Sequence, residues 1–137
     1  MYRHLLIATD GSELSGEAVV QGLSLAKKLG AKVTAVVVTE PPALMVGGEA
    51  VHPQAIESNA NSVLAPVREA AEKNGVVFEA IHAKNQNPAE GIIQTAQEKG
   101  CDLIVMTSHG RRLTRVLMGK QATKVLTYSS IPVLVCR

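Results

Sequence analysis

Apolar residues form five short, nearly unbroken runs along this chain, and between the runs they recur every three or four positions. The runs are of strand length and cover residues 4–9, 31–38, 76–81, 103–106 and 132–135. Continuous rather than alternating hydrophobicity indicates burial on both faces, as in a parallel sheet covered by helices. The pattern therefore predicts five buried strands.

The stretches between these runs predict four helices. The first has Ser12 as its N-cap and Gly30 as its C-terminal stop, and the third opens at Asn87-Pro88-Ala89-Glu90, with an N-cap followed by proline. The second carries Pro66 inside its apolar repeat, and we expect a kink or break just before it because proline removes one backbone hydrogen bond. The fourth runs from about Gly119 to Tyr128.

The resulting order, β-α-β-α-β-α-β-α-β, is typical of an α/β protein with an open, doubly wound, five-stranded parallel sheet. A length of 137 residues predicts a single domain, residues 1–137. Right-handed crossovers bring the carboxyl ends of all strands to one edge of the sheet. Ligands of such folds bind at that edge, so we look there for chemistry.

Composition excludes several classes of function. Aromatic residues are only 2% of the chain, so the core must be aliphatic and no row of rings is present to stack on single-stranded nucleic acid. A net charge of +2 is too small to indicate a DNA-binding surface. No apolar run reaches the length of a membrane span or a signal-peptide core, so we expect a cytoplasmic protein that binds neither nucleic acid nor membrane.

Two loops at the predicted ligand edge carry the candidate chemistry. Thr9-Asp10-Gly11-Ser12 follows the first strand, and Ser108-His109-Gly110-Arg111-Arg112 follows the fourth. Asp10 can accept hydrogen bonds from hydroxyl or amino groups, whereas the glycine and arginines suit a phosphate. For the first loop, a simple helix-capping turn is an equally good interpretation.

Catalytic chemistry finds little support in the sequence. The four histidines (His4, His52, His82 and His109) lack metal-ligand spacing, and each is expected to be a surface or loop residue. Ser12 and Ser108 have no evident base partner. The two cysteines, Cys101 and Cys136, form no CxxC pair and are expected to be inert. We therefore predict no catalytic residue and no metal site.

In combination, the motifs resemble the universal stress protein family over nearly the whole chain. Each segment is short, but their order and spacing together are specific. The segments that carry the resemblance are Leu6–Ser12, Asn87–Ile93, Asp102–Met106, Ser108–Arg112 and Ile131–Val135.

The resemblance implies a Rossmann-like fold of the adenine nucleotide alpha-hydrolase type, with strand order 3-2-1-4-5. It also implies a homodimer formed through the last strand, which would cover an apolar edge that is otherwise a liability. The interface residues would be Ile131, Pro132, Val133, Leu134, Val135 and Cys136.

Many members of this family bind ATP or AMP, with Mg²⁺ expected only together with ATP. Carried over to this chain, the nucleotide-binding residues would be Thr9, Asp10, Gly11, Ser12, Val38, Met106, Ser108, His109, Gly110, Arg111, Arg112, Gly119, Lys120 and Gln121.

The phosphate loop departs from the family pattern G-x2-G-x9-G-[S/T]. Thr107 replaces the first glycine, the spacer before Gly119 has eight residues instead of nine, and Lys120 replaces the hydroxyl residue. Lysine cannot cap the helix, and a cation in the first turn opposes the helix dipole by about 0.3–1 kcal/mol. Either a bound anion compensates the charge of Lys120 and the phosphate site is retained, or the Lys120 side chain points to solvent and the phosphate site has been lost.

Three functions follow from these observations. The first is a dimeric, regulatory stress-response module that binds an adenine nucleotide. The second is a dimeric interaction protein of the same fold that binds no nucleotide. The third, an adenylating enzyme, would need a glycine- and serine-rich loop directly after the first strand, where only Asp10-Gly11-Ser12 stands. We therefore expect no more than weak ATP hydrolysis.

Overall fold

The computed structural model of the chain describes residues 1–41, 53–108 and 119–137. Strands and helices alternate along it as predicted. Their bounds are β1 (His4–Ala8), α1 (Glu13–Leu29), β2 (Lys32–Thr39), α2 (Pro53–Lys73), β3 (Phe78–Lys84), α3 (Pro88–Lys99), β4 (Leu103–Thr107), α4 (Lys120–Tyr128) and β5 (Val133–Cys136).

The five strands form one sheet in the order β3-β2-β1-β4-β5, and every pairing is parallel. This confirms the predicted α/β fold and its strand order. β1 lies at the centre, with Ala8 opposite Val36 on β2 and Ile7 opposite Val105 on β4. The chain therefore leaves β1 with a neighbour on each side.

Helices cover both faces of the sheet, which explains why the strands are continuously apolar. On one face α1 packs against β1 and β4 and α2 against β2 and β3, while α3 and α4 pack together on the other. Leu5 and Ile7 point into the first core, and Leu6 and Ile104 point into the second, all fully buried. Aliphatic side chains dominate both cores, as the composition predicted.

The predicted N-caps and C-terminal glycines of α1 and α3 are present in the structure. The Ser12 side chain accepts a hydrogen bond from the Ser15 N–H at 3.2 Å, and α1 ends at Gly30 in the left-handed conformation. Asn87 accepts from the Glu90 N–H at 3.4 Å at the start of α3, which ends at Gly100. Both glycines have positive φ, a conformation that costs a residue with a Cβ about 1–2 kcal/mol.

The expected break before Pro66 is wrong, because α2 continues through this residue without interruption. The proline ring removes the hydrogen bond to the Ser62 carbonyl, but Ser62 and Pro66 both lie on the exposed side of the helix. Water can replace the lost donor there. On the opposite side, Leu64, Val67 and Ala71 are buried against the sheet and hold the helix in place.

The third strand begins two residues later than predicted and extends to Lys84. Val76 is apolar because it is buried in the turn before the strand, where its N–H bonds the Ala71 carbonyl at 2.9 Å. Val77 is 72% exposed, so its hydrophobicity does not reflect strand burial. The apolar run over residues 76–81 therefore includes two residues of the connection before β3 as well as the first residues of the strand.

The prediction that every histidine lies on the surface or in a loop is wrong for His4, which is only 7% exposed at the start of β1. Its Nε2 lies 2.7 Å from the hydroxyl of Thr34, which is fully buried on β2. Thr34 also lowers the pKa of the neighbouring Cys101 thiol, and the Lys99 backbone raises that of the His4 ring. A buried polar network thus crosses the amino ends of the strands.

Burial controls the ionisation of this network. It lowers the pKa of His4, a change that nearby Lys32 reinforces and that Asp102 and Glu79 oppose. It raises the pKa of Cys101 to about 11, against the opposing effect of Thr34, and so disfavours the reactive thiolate. Burial also raises the pKa of Asp102, but the hydrogen bonds from the Arg3 and His4 N–H groups outweigh it and lower the pKa overall.

Candidate functional site

Three of the predicted site residues lie at or just beyond the carboxyl ends of three neighbouring strands. β1 pairs Ala8 with Val36 and Ile7 with Val105. The Thr9 N–H still bonds the Val36 carbonyl at 3.1 Å, so Asp10 leaves the sheet between the end of β2, which contains Val38, and the end of β4, which Ser108 follows. Neighbouring strands lie about 4.8 Å apart, so the three residues lie within reach of one small ligand.

This position is a topological switch point. The connection after β1 leads to α1 on one face of the sheet, and α4, which follows β4 in the chain, lies on the other face. The chain thus diverges between two adjacent parallel strands. Such a divergence leaves a crevice outside the strand ends, which is where open α/β sheets bind ligands.

The turn between β1 and α1 is tightly hydrogen-bonded. The Asp10 carboxylate accepts from the Ser12 N–H at 2.9 Å, and Thr9 Oγ1 accepts from the Gly11 N–H at 3.2 Å. Thr9 Oγ1 also lies 2.9 Å from the Ser15 hydroxyl. The helix-capping interpretation of this loop is therefore realised in the structure, and it holds Asp10 in a fixed position at the edge.

Sequence reasoning missed Ser15, which is buried and joins this turn from within α1. Its hydroxyl donates to the Ser12 carbonyl at 2.9 Å, and its N–H donates to the Ser12 side chain. Glu or Gln at this position would have formed a capping box with Ser12, but a serine whose hydroxyl donates to the Ser12 carbonyl has no such sequence signature.

Gly11 is required by both its conformation and its surroundings. Its φ is +80°, and a Cβ added there would lie 2.6 Å from Cγ2 of Val63 in α2. The middle of α2 therefore packs directly on the β1–α1 turn. Only glycine satisfies both the left-handed backbone and this contact.

Ser108, at the end of β4, ties three elements together. It is buried, and its N–H donates to the Cys136 carbonyl on β5 at 3.0 Å. Its own carbonyl accepts from the Gly119 N–H at 2.6 Å. The chain thus returns, eleven residues later, to the point from which it left the sheet.

The first turn of α4 begins at this junction. Gly119 is the N-cap, with extended backbone and no side-chain capping bond. The Lys120 side chain is exposed, while Gln121 Oε1 accepts from the Ala89 N–H at 3.1 Å and joins α4 to the start of α3. Gln121 therefore has a structural role. The N–H groups in the first turn of α4 provide a positive potential that could attract an anion.

Val38 and Met106 differ from the polar candidates because both belong to the core. Met106 is buried between the sheet and the helices α3 and α4. Val38 is half-buried and packs closely on α3, where a Cβ on Gly91 would lie 2.8 Å from its Cγ1. Their side chains can form only an apolar wall of a ligand site.

The remaining candidates, His109, Gly110, Arg111 and Arg112, lie outside the described residues. Within the three described ranges, no group of three or more His, Cys, Asp or Glu side chains is placed to hold a metal ion. A search of the same residues finds no helix that is long and apolar enough to cross a membrane.

The last strand is an edge strand that pairs only with β4 in the described sheet. Leu134 is 38% exposed, and Val133 and Val135 are half-buried. The opposite edge, β3, instead carries the charged side chains of Glu79 and Lys84. Apolar side chains are half-buried on both edges, but β5 carries no charged residue, so the two edges differ in charge.

A protein-family model described as the universal stress protein family matches residues 1–137, the full length of the chain. The chain belongs to this family. Universal stress protein YxiE of Bacillus subtilis is 34% identical to it over 152 residues, with both chains fully covered. Universal stress protein MJ0531 of Methanocaldococcus jannaschii is 31% identical over 144 residues, which cover all of this chain and 83% of the relative.

Solved structures of universal stress proteins share the fold. One, in complex with cAMP, has a TM-score of 0.78 at 21% identity and covers 99% of this chain and 97% of the other. Another, from Archaeoglobus fulgidus in complex with dAMP, has a TM-score of 0.74 at 21% identity, with 99% and 98% covered. This universal stress protein therefore has the architecture of proteins that have been solved with adenine nucleotides.

Proposed function

We propose that this universal stress protein is a regulatory module that binds an adenine nucleotide in the crevice between the carboxyl ends of β1 and β4. The observation that carries the proposal is the switch point itself: β1 ends between β2 and β4, and α1 and α4 leave this edge on opposite faces of the sheet. Relatives of the same fold solved with cAMP and dAMP support it.

In this proposal each element has a distinct role. Asp10 accepts hydrogen bonds from the nucleoside, Val38 and Met106 form an apolar wall, and the phosphates lie at the start of α4. A phosphate there would accept from first-turn N–H groups, as the Ser12 side chain does at the start of α1. Arg111 and Arg112 would add charge, and Mg²⁺ would accompany ATP but not AMP.

The interaction module without a nucleotide remains the second candidate, and it rests on one observation. Asp10 is already engaged in the β1–α1 turn, and Gln121 in the contact between α3 and α4. Both residues can therefore be explained by the fold alone.

A thermal-unfolding titration of the full chain with ATP, AMP and inorganic phosphate separates the two candidates. Ligand at about 100 times its dissociation constant adds about 2.7 kcal/mol to the free energy of unfolding, so the melting temperature must rise with nucleotide concentration. No rise with any of the three ligands, for a chain that is folded by circular dichroism, favours the interaction module.

The variant Lys120→Ser tests the unusual residue of the phosphate loop. We expect it to bind ATP about threefold to tenfold more tightly if the missing hydroxyl of the family pattern is what weakens the site, because a serine hydroxyl in the first turn of α4 can donate a hydrogen bond to a phosphate. Lys28→Ser, an exposed lysine in the last turn of α1, is the matched control and should leave the affinity unchanged. Weaker ATP binding in Lys120→Ser would instead mean that the lysine itself holds the phosphates.

We further propose that two copies pair through β5. Pairing would cover the exposed Leu134 and would satisfy the edge of a strand that hydrogen-bonds only β4 among the described residues. Ile131 and Pro132, which precede the strand, and Val133, Val135 and Cys136 within it would form the rest of the interface.

Light scattering on a sizing column tests the pairing. We expect a mass of about twice 14.5 kDa for the wild type and a monomer for Leu134→Arg, because the substitution places a charge in an apolar contact. Val20→Arg, on a side chain that is 67% exposed on α1, is the control and should remain dimeric. A wild-type chain that elutes as a monomer at micromolar concentration would overturn the proposal.

A further inference from the structure

A groove with a volume of about 390 Å³ lies at the amino edge of the sheet, opposite the proposed nucleotide site. It is bounded by the C-terminal end of α1, the turn between α2 and β3, and the first residues of β1 and β2. Pockets for small molecules begin at about 300 Å³, so the groove is large enough for a short ligand.

The floor of the groove is apolar. Ala26, Ala31 and Val76 are buried beneath it, and Val77 stands at its rim with 72% of its surface exposed. A valine exposed to this degree beside a groove offers a contact for the apolar part of a ligand.

The rim of the groove is cationic. Arg3, Lys27 and Lys32 line it, and none of the described lining residues is acidic. The backbone holds two of them side by side, because the Lys32 N–H donates to the Arg3 carbonyl at 3.0 Å. The ion pairs found among the described residues, Lys73–Glu69 and Lys99–Glu79, include none of these three cations.

Lysines near a helix C-terminus usually interact with its last carbonyl groups, but here those carbonyls have other donors. The Gly30 N–H bonds the Ala26 and Lys27 carbonyls, and at the end of α2 the Val76 N–H bonds the Ala71 carbonyl. The nearby Asp102 carboxylate is likewise engaged, by the backbone N–H groups of Arg3 and His4. The cations of the rim are thus not needed as donors for the backbone.

We propose that this groove binds a small anion with a short apolar body, such as an alkyl phosphate or an alkyl carboxylate. The Arg3 guanidinium suits a planar or tetrahedral anion because it presents paired donors, and Lys27 and Lys32 add charge. The apolar body lies on the floor and against Val77. The proposal is independent of nucleotide binding because the two sites lie at opposite edges of the sheet.

An NMR titration of the ¹⁵N-labelled full chain with hexyl phosphate tests the proposal. We expect saturable shifts of the amides of Gly30, Lys32, Gly75 and Val77. The double variant Lys27→Gln/Lys32→Gln should weaken binding at least tenfold, and since both lysines are exposed, it should fold normally. Lys28→Gln/Lys84→Gln, which removes the same charge from exposed positions away from the lining, is the matched control and should bind as the wild type does.

Comparison of probes separates the parts of the proposal. Hexanoate should produce the same pattern of shifts with lower affinity, because it carries less charge. Inorganic phosphate should bind more weakly than hexyl phosphate, because it gains nothing from the apolar floor. Equal affinity for hexanol, equal loss in the control variant, or shifts confined to the opposite edge around Asp10 and Ser108 would each overturn the assignment.

Discussion

Gly11→Ala is expected to lower the free energy of unfolding by about 2–5 kcal/mol. The left-handed backbone at φ +80° costs a residue with a Cβ about 1–2 kcal/mol. The new methyl group also lies 2.6 Å from Cγ2 of Val63, and such overpacking costs about 1–3 kcal/mol. Urea unfolding at equilibrium measures the sum.

Gly30→Ala separates the two costs. Gly30 has a similar φ of +66°, but an added Cβ would meet nothing within 4 Å. This variant should therefore show only the backbone cost. The double variant Gly11→Ala/Val63→Ala removes the clash, and the loss due to Gly11→Ala should shrink to that of Gly30→Ala when it is measured against Val63→Ala alone. Equal losses in Gly11→Ala and Gly30→Ala would mean that α2 does not press on the turn.

His4→Ala is expected to lower the free energy of unfolding by about 2–4 kcal/mol at pH 7.5. The substitution leaves a cavity beside β2 and removes a hydrogen-bond partner from the fully buried Thr34 hydroxyl. An unsatisfied buried polar group costs about 1–3 kcal/mol, and the cavity adds to this. Chemical denaturation of both chains at several pH values measures the difference.

The loss should depend on pH in a definite direction. Because burial lowers the pKa of His4 from 6.5, the neutral ring favours the folded state. Its contribution is fully present above pH 6.5 and is lost as the pH falls through the lowered native pKa. The difference between wild type and His4→Ala should therefore be largest above pH 6.5 and should shrink in acid.

His82→Ala is the matched control for this experiment. His82 also contacts a threonine, with its Nε2 2.6 Å from Thr39 Oγ1, but it is half-buried at the sheet edge. We expect a smaller loss of stability at pH 7.5 than for His4→Ala. A difference between wild type and His4→Ala that grows as the pH falls would show that the charged ring is the form that stabilises the fold.

The features that the sequence predicted correctly are those encoded by neighbouring residues. Continuous apolar runs indicate strands buried on both faces, and the caps at Ser12 and Asn87 act within one helical turn. The start of β3 was misplaced because Val76 serves a turn, and the apolar residues of a turn and a strand look alike in a sequence. The order of the strands required the family resemblance.

Long-range polar contacts were beyond the reach of sequence reasoning. Nothing near His4 in the chain indicates that it bonds Thr34, thirty residues away, and a polar residue at a strand start normally faces solvent. The contact of Gln121 with the Ala89 N–H, across thirty-two residues, was equally hidden. The candidate nucleotide residues, including the four that lie outside the described residues, remain a prediction until binding is measured.

Two backbone hydrogen bonds of Ser108 attach the proposed pairing strand and the proposed phosphate-binding helix to the same residue. Its N–H bonds Cys136 at the end of β5, and its carbonyl bonds Gly119 at the start of α4. A nucleotide that alters the start of α4 would therefore act close to the dimer contact. If nucleotide changes the affinity between the subunits by some factor, thermodynamic reciprocity requires that pairing change the affinity for nucleotide by the same factor.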